Sequence, residues 1–270
     1  MRRFIMVAVP HRMLLIAGAA SALAVMPAAA SAAAAHGKYT TIDVPGATAT
    51  NAISVNDFGV VVGSYTDTQG VSHGFIDQGG VFTTVDDPQA GTASGQGTTV
   101  IAINEVGVLG GVYIDANGVN HGFIDQDGVF TTVDHADAGT APGQGTTLGF
   151  INDSGAVIGT YFNSGGQPVA FAGRPGQFTT VTDPAAAPFS TFTSAINDAG
   201  VIVGAYIDAQ GVSHGFIDQR GVFTTVDDPQ AGTASGQGTV AFAINNRGII
   251  VGIYVDSSGT THGFELDNAR

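Results

Sequence analysis

Apolar and polar positions along this chain fall into short runs broken by glycine, asparagine and aspartate, and no stretch keeps a helical period. One run always ends on an apolar residue followed by Asn: Val55-Asn56, Ile103-Asn104, Ile151-Asn152, Ile196-Asn197 and Ile244-Asn245. These asparagines stand 48, 48, 45 and 48 residues apart. Each opens the same succession. An Asn-Asp-x-Gly turn leads to a Val-Val-Gly-x-Tyr run, an Asp-x-x-Gly turn to His-Gly-Phe-Ile-Asp, and a second glycine turn to Phe-Thr-Thr-Val-Asp. Runs this short, rich in β-branched and aromatic residues and bounded by turn residues, predict four antiparallel strands per unit and an all-β fold.

A four-stranded unit of roughly this length is the size of one β-propeller blade, about 40–45 residues. The chain ends separate a closed ring from an open solenoid. The last unit has only three runs and stops after His262-Gly263-Phe264-Glu265-Leu266. At the other end Lys38-Tyr39-Thr40-Thr41-Ile42-Asp43-Val44-Pro45 matches Val81-Phe82-Thr83-Thr84-Val85-Asp86-Asp87-Pro88. The expectation is a five-bladed propeller over residues 33–270, anchored at Asn56, Asn104, Asn152, Asn197 and Asn245. The N-terminal strand would complete the last blade. A solenoid would instead carry polar caps at its ends, and an open sheet would leave edges that closure covers.

The residues before this domain have another character. Arg2, Arg3 and Arg12 precede the apolar run Met13–Met26 and a small-residue stretch ending at Ala32. This order reads as a secretory signal over residues 1–32. The apolar run is shorter than the roughly 20 residues that span a bilayer, so no membrane span is expected in the mature chain. The destination would be extracellular or periplasmic. Removing the signal leaves five basic against 22 acidic residues, a formal −17. Such a surface repels phosphate backbones, which argues against nucleic acid as a partner. The chain has no cysteine, so disulfides, thiol chemistry and thiolate metal sites are excluded. The oligomeric state is left open.

The recurrent Ala-Ile-Asn-x-x-Gly-x-Val-Val-Gly, followed by His73-Gly74-Phe75, His121-Gly122-Phe123, His214-Gly215-Phe216 and His262-Gly263-Phe264, resembles the repeat of bacterial extracellular HAF proteins, named for a His-Ala-Phe triplet. Here Gly replaces the middle Ala, and the third unit has Val169-Ala170-Phe171 without the His. The resemblance covers essentially the whole mature chain. It implies secretion and a propeller-like fold, and no agreed activity.

Strand order places the chemistry. If the Ala-Ile-Asn strand is innermost, the Asn-Asp-x-Gly turns lie on a lower rim and the Asp-x-x-Gly turns on an upper one. Tyr65, Asp67 and His73 then ring the upper rim with Tyr113, Asp115 and His121, with Tyr206, Asp208 and His214, and with Tyr254, Asp256 and His262. Long connections at Thr84–Thr98, Thr132–Thr146 and Thr225–Thr239 add Gln96, Gln144 and Gln237 in a Gly-Gln-Gly-Thr loop. Gly80–Thr98 and Gly221–Thr239 are identical over 19 residues, which duplication alone would explain. The repeated Asn reads as turn chemistry and the repeated Tyr and Phe as packing between blades. The histidines read either as structural hydrogen-bonding residues or as ligand contacts. Equivalent histidines of different blades stand too far apart to share one metal, and a His-Asp pair is a two-ligand site at best. Asp115–Gly118 and Asp125–Gly128 lack the distal bidentate Glu of a calcium loop. No cofactor is expected; calcium is conceivable without a complete ligand set.

One reaction needs differently tuned groups at one place, and this chain repeats the same groups. It has two glutamates. Glu105 replaces the turn Asp on the lower rim, and Glu265 lies in the last unit's third run. No Gly-x-Ser-x-Gly elbow or nucleotide loop is present. The sequence therefore points to a secreted, non-catalytic binding or scaffold module. Its upper rim would serve glycans or other hydroxyl-rich ligands, such as a cell-surface polymer. The alternatives are a propeller-type glycoside hydrolase or lyase, and a structural surface or matrix protein with no small ligand.

Overall fold

The short apolar runs form strands in a computed structural model that describes residues 40–267. The predicted signal at residues 1–32, and Lys38 and Tyr39 of the predicted closing strand, lie outside the described residues. Ile42–Arg270 forms one compact body; of the other unit, Met1–Thr41, only Thr40 and Thr41 are described.

The first unit consists of β1 (Ala49–Val55), β2 (Val60–Thr66), β3 (Ser72–Gln78) and β4 (Val81–Val85). The second is β5 (Gly97–Ile103), β6 (Leu109–Ile114), β7 (Asn120–Gln126) and β8 (Val129–Val133). The third is β9 (Gly145–Ile151), β10 (Val157–Phe162), β11 (Pro168–Arg174) and β12 (Gln177–Thr180). The fourth is β13 (Thr191–Ile196), β14 (Val201–Ile207), β15 (Ser213–Gln219) and β16 (Val222–Val226). The fifth has three: β17 (Gly238–Ile244), β18 (Ile249–Val255) and β19 (Thr261–Asp267). Within each unit consecutive strands pair antiparallel. The architecture is all-β and propeller-like, and the described residues contain no helix.

Packing explains the repeated triplet. Phe75, Phe123, Phe171 and Phe216 are all fully buried, and each lies under the glycine of its neighbouring second strand. A Cβ on Gly111, for example, would stand 2.8 Å from the Phe123 ring. The middle Gly of His-Gly-Phe also makes room for the next unit. A Cβ on Gly74 would meet Val85 O at 2.6 Å and the Val100 side chain at 2.7 Å. Four apolar clusters each join consecutive units, as where Val62 and Val85 of the first meet Val100 and Leu109 of the second. No unit buries its apolar face alone.

Where the long connection is present, a single parallel bridge ties third strand to next first strand: Ser72 to Gly97, Asn120 to Gly145, Ser213 to Gly238. Between the third and fourth units no described strand pair makes this bridge; Ser190, just before β13, instead accepts from Ile207 N of β14 at 2.9 Å within the fourth unit. The strands accordingly form a 12-stranded sheet from β1 to β12 and a 7-stranded one from β13 to β19.

The two ends of the strand series stand open among the described residues. No described strand pairs with the outer edge of β19, and Val251 and Leu266 are exposed there. At the other end β1 exposes Ile53 and Val55. One bond bears on the chain before β1. Val44 N donates to Thr50 Oγ1 at 3.1 Å. It repeats the junction bond by which Asp87 N donates to Thr98 Oγ1 at 2.9 Å, and likewise His135 to Thr146 and Asp228 to Thr239. Val44 therefore meets the first unit as Asp87 meets the second.

Candidate functional site

Polar residues gather at the two predicted rims, and the structure uses the two in different ways. On the lower rim each Asn closes its own turn. Asn56 Oδ1 accepts from Val60 N at 3.0 Å, and Asn152 Oδ1 from Ala156 N at 2.9 Å. This is the predicted turn chemistry. The other end of the amide reaches the next unit. Nδ2 of Asn56, Asn104, Asn152 and Asn197 donates to the carbonyl of the following Asn, at 3.5, 3.2, 2.9 and 3.3 Å. The residue after each Asn adds a second row. Asp57 N donates to Glu105 Oε2, Glu105 N to Asp153 Oδ1, Asp153 N to Asp198 Oδ1 and Asp198 N to Asn246 Oδ1, all within 2.9–3.0 Å. Side chains of all five units converge on one open cavity of about 290 Å³. Glu105 is thus spent on an inter-unit bond at the cavity mouth.

On the upper rim the predicted triads assemble. Tyr65 and His73 face each other across β2 and β3, where an Asp-x-x-Gly turn joins the strands. Their rings stack at 5.0 Å between centroids, and Tyr113–His121, Tyr206–His214 and Tyr254–His262 at 4.8–4.9 Å. The turn Asp has two tasks. Asp67 Oδ1 accepts from Gln69 N and Val71 N at 2.8 and 2.9 Å, while Oδ2 lies 3.4 Å from His73 Nε2.

A fourth residue, absent from the predicted site, completes the clusters of the first, second and fourth units. His73 Nδ1 lies 2.9 Å from Asp86 Oδ2, His121 Nδ1 2.7 Å from Asp134 and His214 Nδ1 2.8 Å from Asp227. The signal was in the repeat. The Asp of Thr-Thr-Val-Asp is lost in the third unit as Thr182, together with the His (Val169) and the turn Asp (Asn163). Three positions that disappear together make one constellation. In their place His135, from the preceding connection, stacks on Tyr161 at 4.0 Å and 6°. The fifth cluster has His262 Nε2 3.1 Å from Asp256, and among the described residues no carboxylate meets its Nδ1.

Two ionised carboxylates, both acceptors only, favour an imidazolium between them. Burial alone would lower the pKa of His73, but the hydrogen bonds and charges of Asp86 and Asp67 outweigh it and raise it. Asp227 and Asp208 do the same against burial at His214. Asp67 and Asp208 are held below the usual carboxylate range, chiefly by the Val71 and Val212 amides. A raised histidine pKa stabilises the fold fully below about pH 6.5, and the contribution is lost as pH rises through the folded-state value. His135 has the opposite sign, because burial lowers its pKa. The difference in melting temperature between the parent and a His73→Gln/His214→Gln variant cancels His135. It is expected to be largest near pH 5 and to shrink toward pH 9. A difference independent of pH would show that the clusters carry no linked proton.

The glutamines of the long connections face inward. Gln96 Oε1 accepts from Ala93 N at 3.0 Å and its Nε2 donates to Ala116 O in the next unit at 3.2 Å. Gln144 repeats this with Ala141 and Ser164, and Gln237 Oε1 accepts from Ala234 N. Gln96 and Gln144 thus clamp one unit to the turn of the next, and in both identical loops the glutamine closes its own loop. The two Asp-x-x-Gly segments with a calcium-like spacing are turns: Asp115 Oδ1 accepts from Asn117 N and Val119 N, and Asp125 Oδ1 from Gly128 N. Among the described residues no group of three or more His, Asp or Glu is arranged to hold a metal ion.

No family model and no curated protein matches the sequence. Among solved structures, the SapL1 lectin in complex with alpha methyl fucoside is 13% identical, with 82% of each chain covered and a TM-score of 0.44. The Aleuria aurantia lectin, described as a six-bladed β-propeller, is 12% identical over 80% of this chain and 72% of that one, at 0.41. TolB from Acinetobacter baumannii is 12% identical over 79% of this chain and 55% of its own, at 0.47. At such scores the likenesses carry no argument about ligand or blade number.

Proposed function

We propose that this chain is a secreted, non-catalytic binding module, related to the HAF-repeat proteins, whose upper rim presents repeated sites for hydroxyl-rich ligands such as glycans. The observation that carries the reading is the Tyr–His–Asp–Asp cluster. It recurs in the first, second and fourth units with the same stack and the same Nδ1–carboxylate distance. Its histidine and both aspartates are missing together from the third, which keeps the tyrosine as Tyr161. Asp86, Asp134 and Asp227 are each about two-fifths exposed. Asp134 and Asp227 each spend one oxygen on the histidine while Asp86 turns both toward His73 Nδ1, and a partly exposed carboxylate has further lone pairs, which suits acceptance from sugar hydroxyls. Identical weak sites around a rim gain strength by multivalency, whereas catalysis asks for unlike groups at one place.

The same reading includes a five-bladed ring closed by residues 38–45 as the fourth strand of the fifth unit. It is supported by the match of that segment to β4 and by the Val44–Thr50 junction bond.

Glycan-array binding by the mature protein, with and without calcium, tests the function. Binding is expected without calcium. A His73→Ala/His121→Ala/His214→Ala variant should lose about 10²–10⁴ in avidity. Flat arrays in both conditions would sink the glycan reading and favour a scaffold, in which every cluster hydrogen bond serves the fold alone. Turnover of chromogenic glycosides would sink the non-catalytic one.

A further inference from the structure

The fifth upper-rim cluster is incomplete in a way that names its missing part. In the first, second and fourth units the histidine is about 22–23% exposed and has a carboxylate on each ring nitrogen. His262 stacks on Tyr254 at 4.8 Å and meets Asp256 through Nε2, as the others do. Its side chain is nonetheless 40% exposed. The carboxylate that elsewhere meets Nδ1 comes from the residue just after the fourth strand, Asp86 after β4 and Asp227 after β16. The fifth unit ends at β19 and has no described fourth strand.

We infer that Asp43, which is exposed and makes no ion pair with His262 among the described residues, supplies this carboxylate once the ring closes, so that the seam holds a fourth complete ligand site, Tyr254–His262–Asp256–Asp43. The inference rests on the closed-ring reading above. Three observations lead to Asp43. It occupies the place of Asp86 in the matching segment. The residue after it, Val44, already makes the junction bond that Asp87 makes after Asp86. The charges are complementary, because His262 has one carboxylate where its equivalents have two. The site takes the same hydroxyl-rich ligands as the others. It differs in being built from the two ends of the domain, so that ring closure and the fourth site are one event. A second copy supplying its own Asp43 would be the competing arrangement, a strand-swapped dimer.

The test reads closure and the Asp43 contact separately, on the full mature chain. Hydrogen exchange at the β19 amides that face away from β18, with light scattering for the molecular mass, reports closure. Ring ¹⁵N shifts of the histidines at one fixed pH report the contact. Asp43→Asn is expected to move the His262 ring resonances as Asp86→Asn moves those of His73, leaving His121 and His214 unchanged. The outer β19 amides should exchange slowly in a monomer, and deleting residues 38–45 should make them exchange fast. Slow exchange with an unmoved His262 would overturn the Asp43 assignment and leave closure standing. Fast exchange with an unmoved His262 would overturn both. Slow exchange only in a dimer would assign the strand to a second copy and overturn the seam site within one chain.

Discussion

Replacing Gly97 with alanine is expected to cost more than about 4 kcal/mol, the range reserved for severe backbone or core damage. Two effects coincide there. Gly97 has φ +113°, where an L side chain is strained. An added Cβ would also overlap the carbonyl oxygen of Ser72, to whose strand Gly97 is bridged. The overlapped atom is backbone, so no side chain can swing away, and Ser72 N already donates to Gln96 O at 2.9 Å in the same junction. Relief would separate the first unit from the second and open the cluster of Val62, Val85 and Val100. Total stability of a domain is about 5–15 kcal/mol, so this one methyl group is expected to leave the fold marginal. Gly95→Ala is the control. Gly95 also has positive φ, +83°, but nothing lies within 4 Å of its would-be Cβ, and the cost should be about 1–2 kcal/mol. Denaturant midpoints of the two variants settle the matter. Equal losses would mean that strain at φ, and not the close approach of strands, makes the Gly-Gln-Gly-Thr loop necessary.

The second large effect is expected at Asn152. Its side chain accepts from Ala156 N and Ser154 Oγ, and donates to Asn197 O at 2.9 Å. The residue is 5% exposed. Asn152→Ala orphans the Ala156 N–H within the turn and removes one of the two donors to Asn197 O, which keeps Gly200 N at 2.9 Å. At about 1–3 kcal/mol for the group left without a partner and about 1 kcal/mol for the second bond, a loss of about 2–4 kcal/mol is expected. Asn152→Asp separates the two tasks. It keeps the turn acceptor but turns a second oxygen toward Asn197 O, and it should also destabilise strongly. If the Asp variant melts like the parent, the inter-unit bond contributes nothing and the Asn is turn chemistry alone.

Asn152 also marks how far the sequence could be read. Its turn role was legible because an Asx turn is a bond between residues two to four apart, and the following glycine advertises it. The bond to Asn197 joins residues 45 apart. It depends on how one unit is rotated against the next, which no local pattern reports. Asp57, Glu105, Asp153 and Asp198 are the same case. A reading of them as turn residues leaves out that each stands in a second row of bonds from unit to unit.

The upper rim divides along a similar line. The Tyr–His pair could be placed from sequence because a tight turn makes the last residues of one strand and the first of the next face each other. Asp86 was missed because it stands one residue past β4. Its approach to His73 follows from the register Gly74↔Val85, which sets how far β4 reaches along β3. Gln96 was read as a rim contact because a polar residue in a long loop is usually solvated. Its amide instead closes the loop on the next unit.

The sequence by itself determined what is local and periodic. Short runs of β-branched and aromatic residues made the strands, glycine and Asn-Asp pairs the turns, and the 45- and 48-residue spacing the repeated unit. Tertiary structure decided how each polar side chain is spent. Hydrogen-bonding capacity is satisfied by whatever the neighbouring unit brings within 3 Å, and that is set by packing rotation and strand register. Asn56, Asn104, Asn152 and Asn197, with Gln96 and Gln144, were thereby committed to holding units together. The His–Asp–Asp clusters keep lone pairs facing solvent.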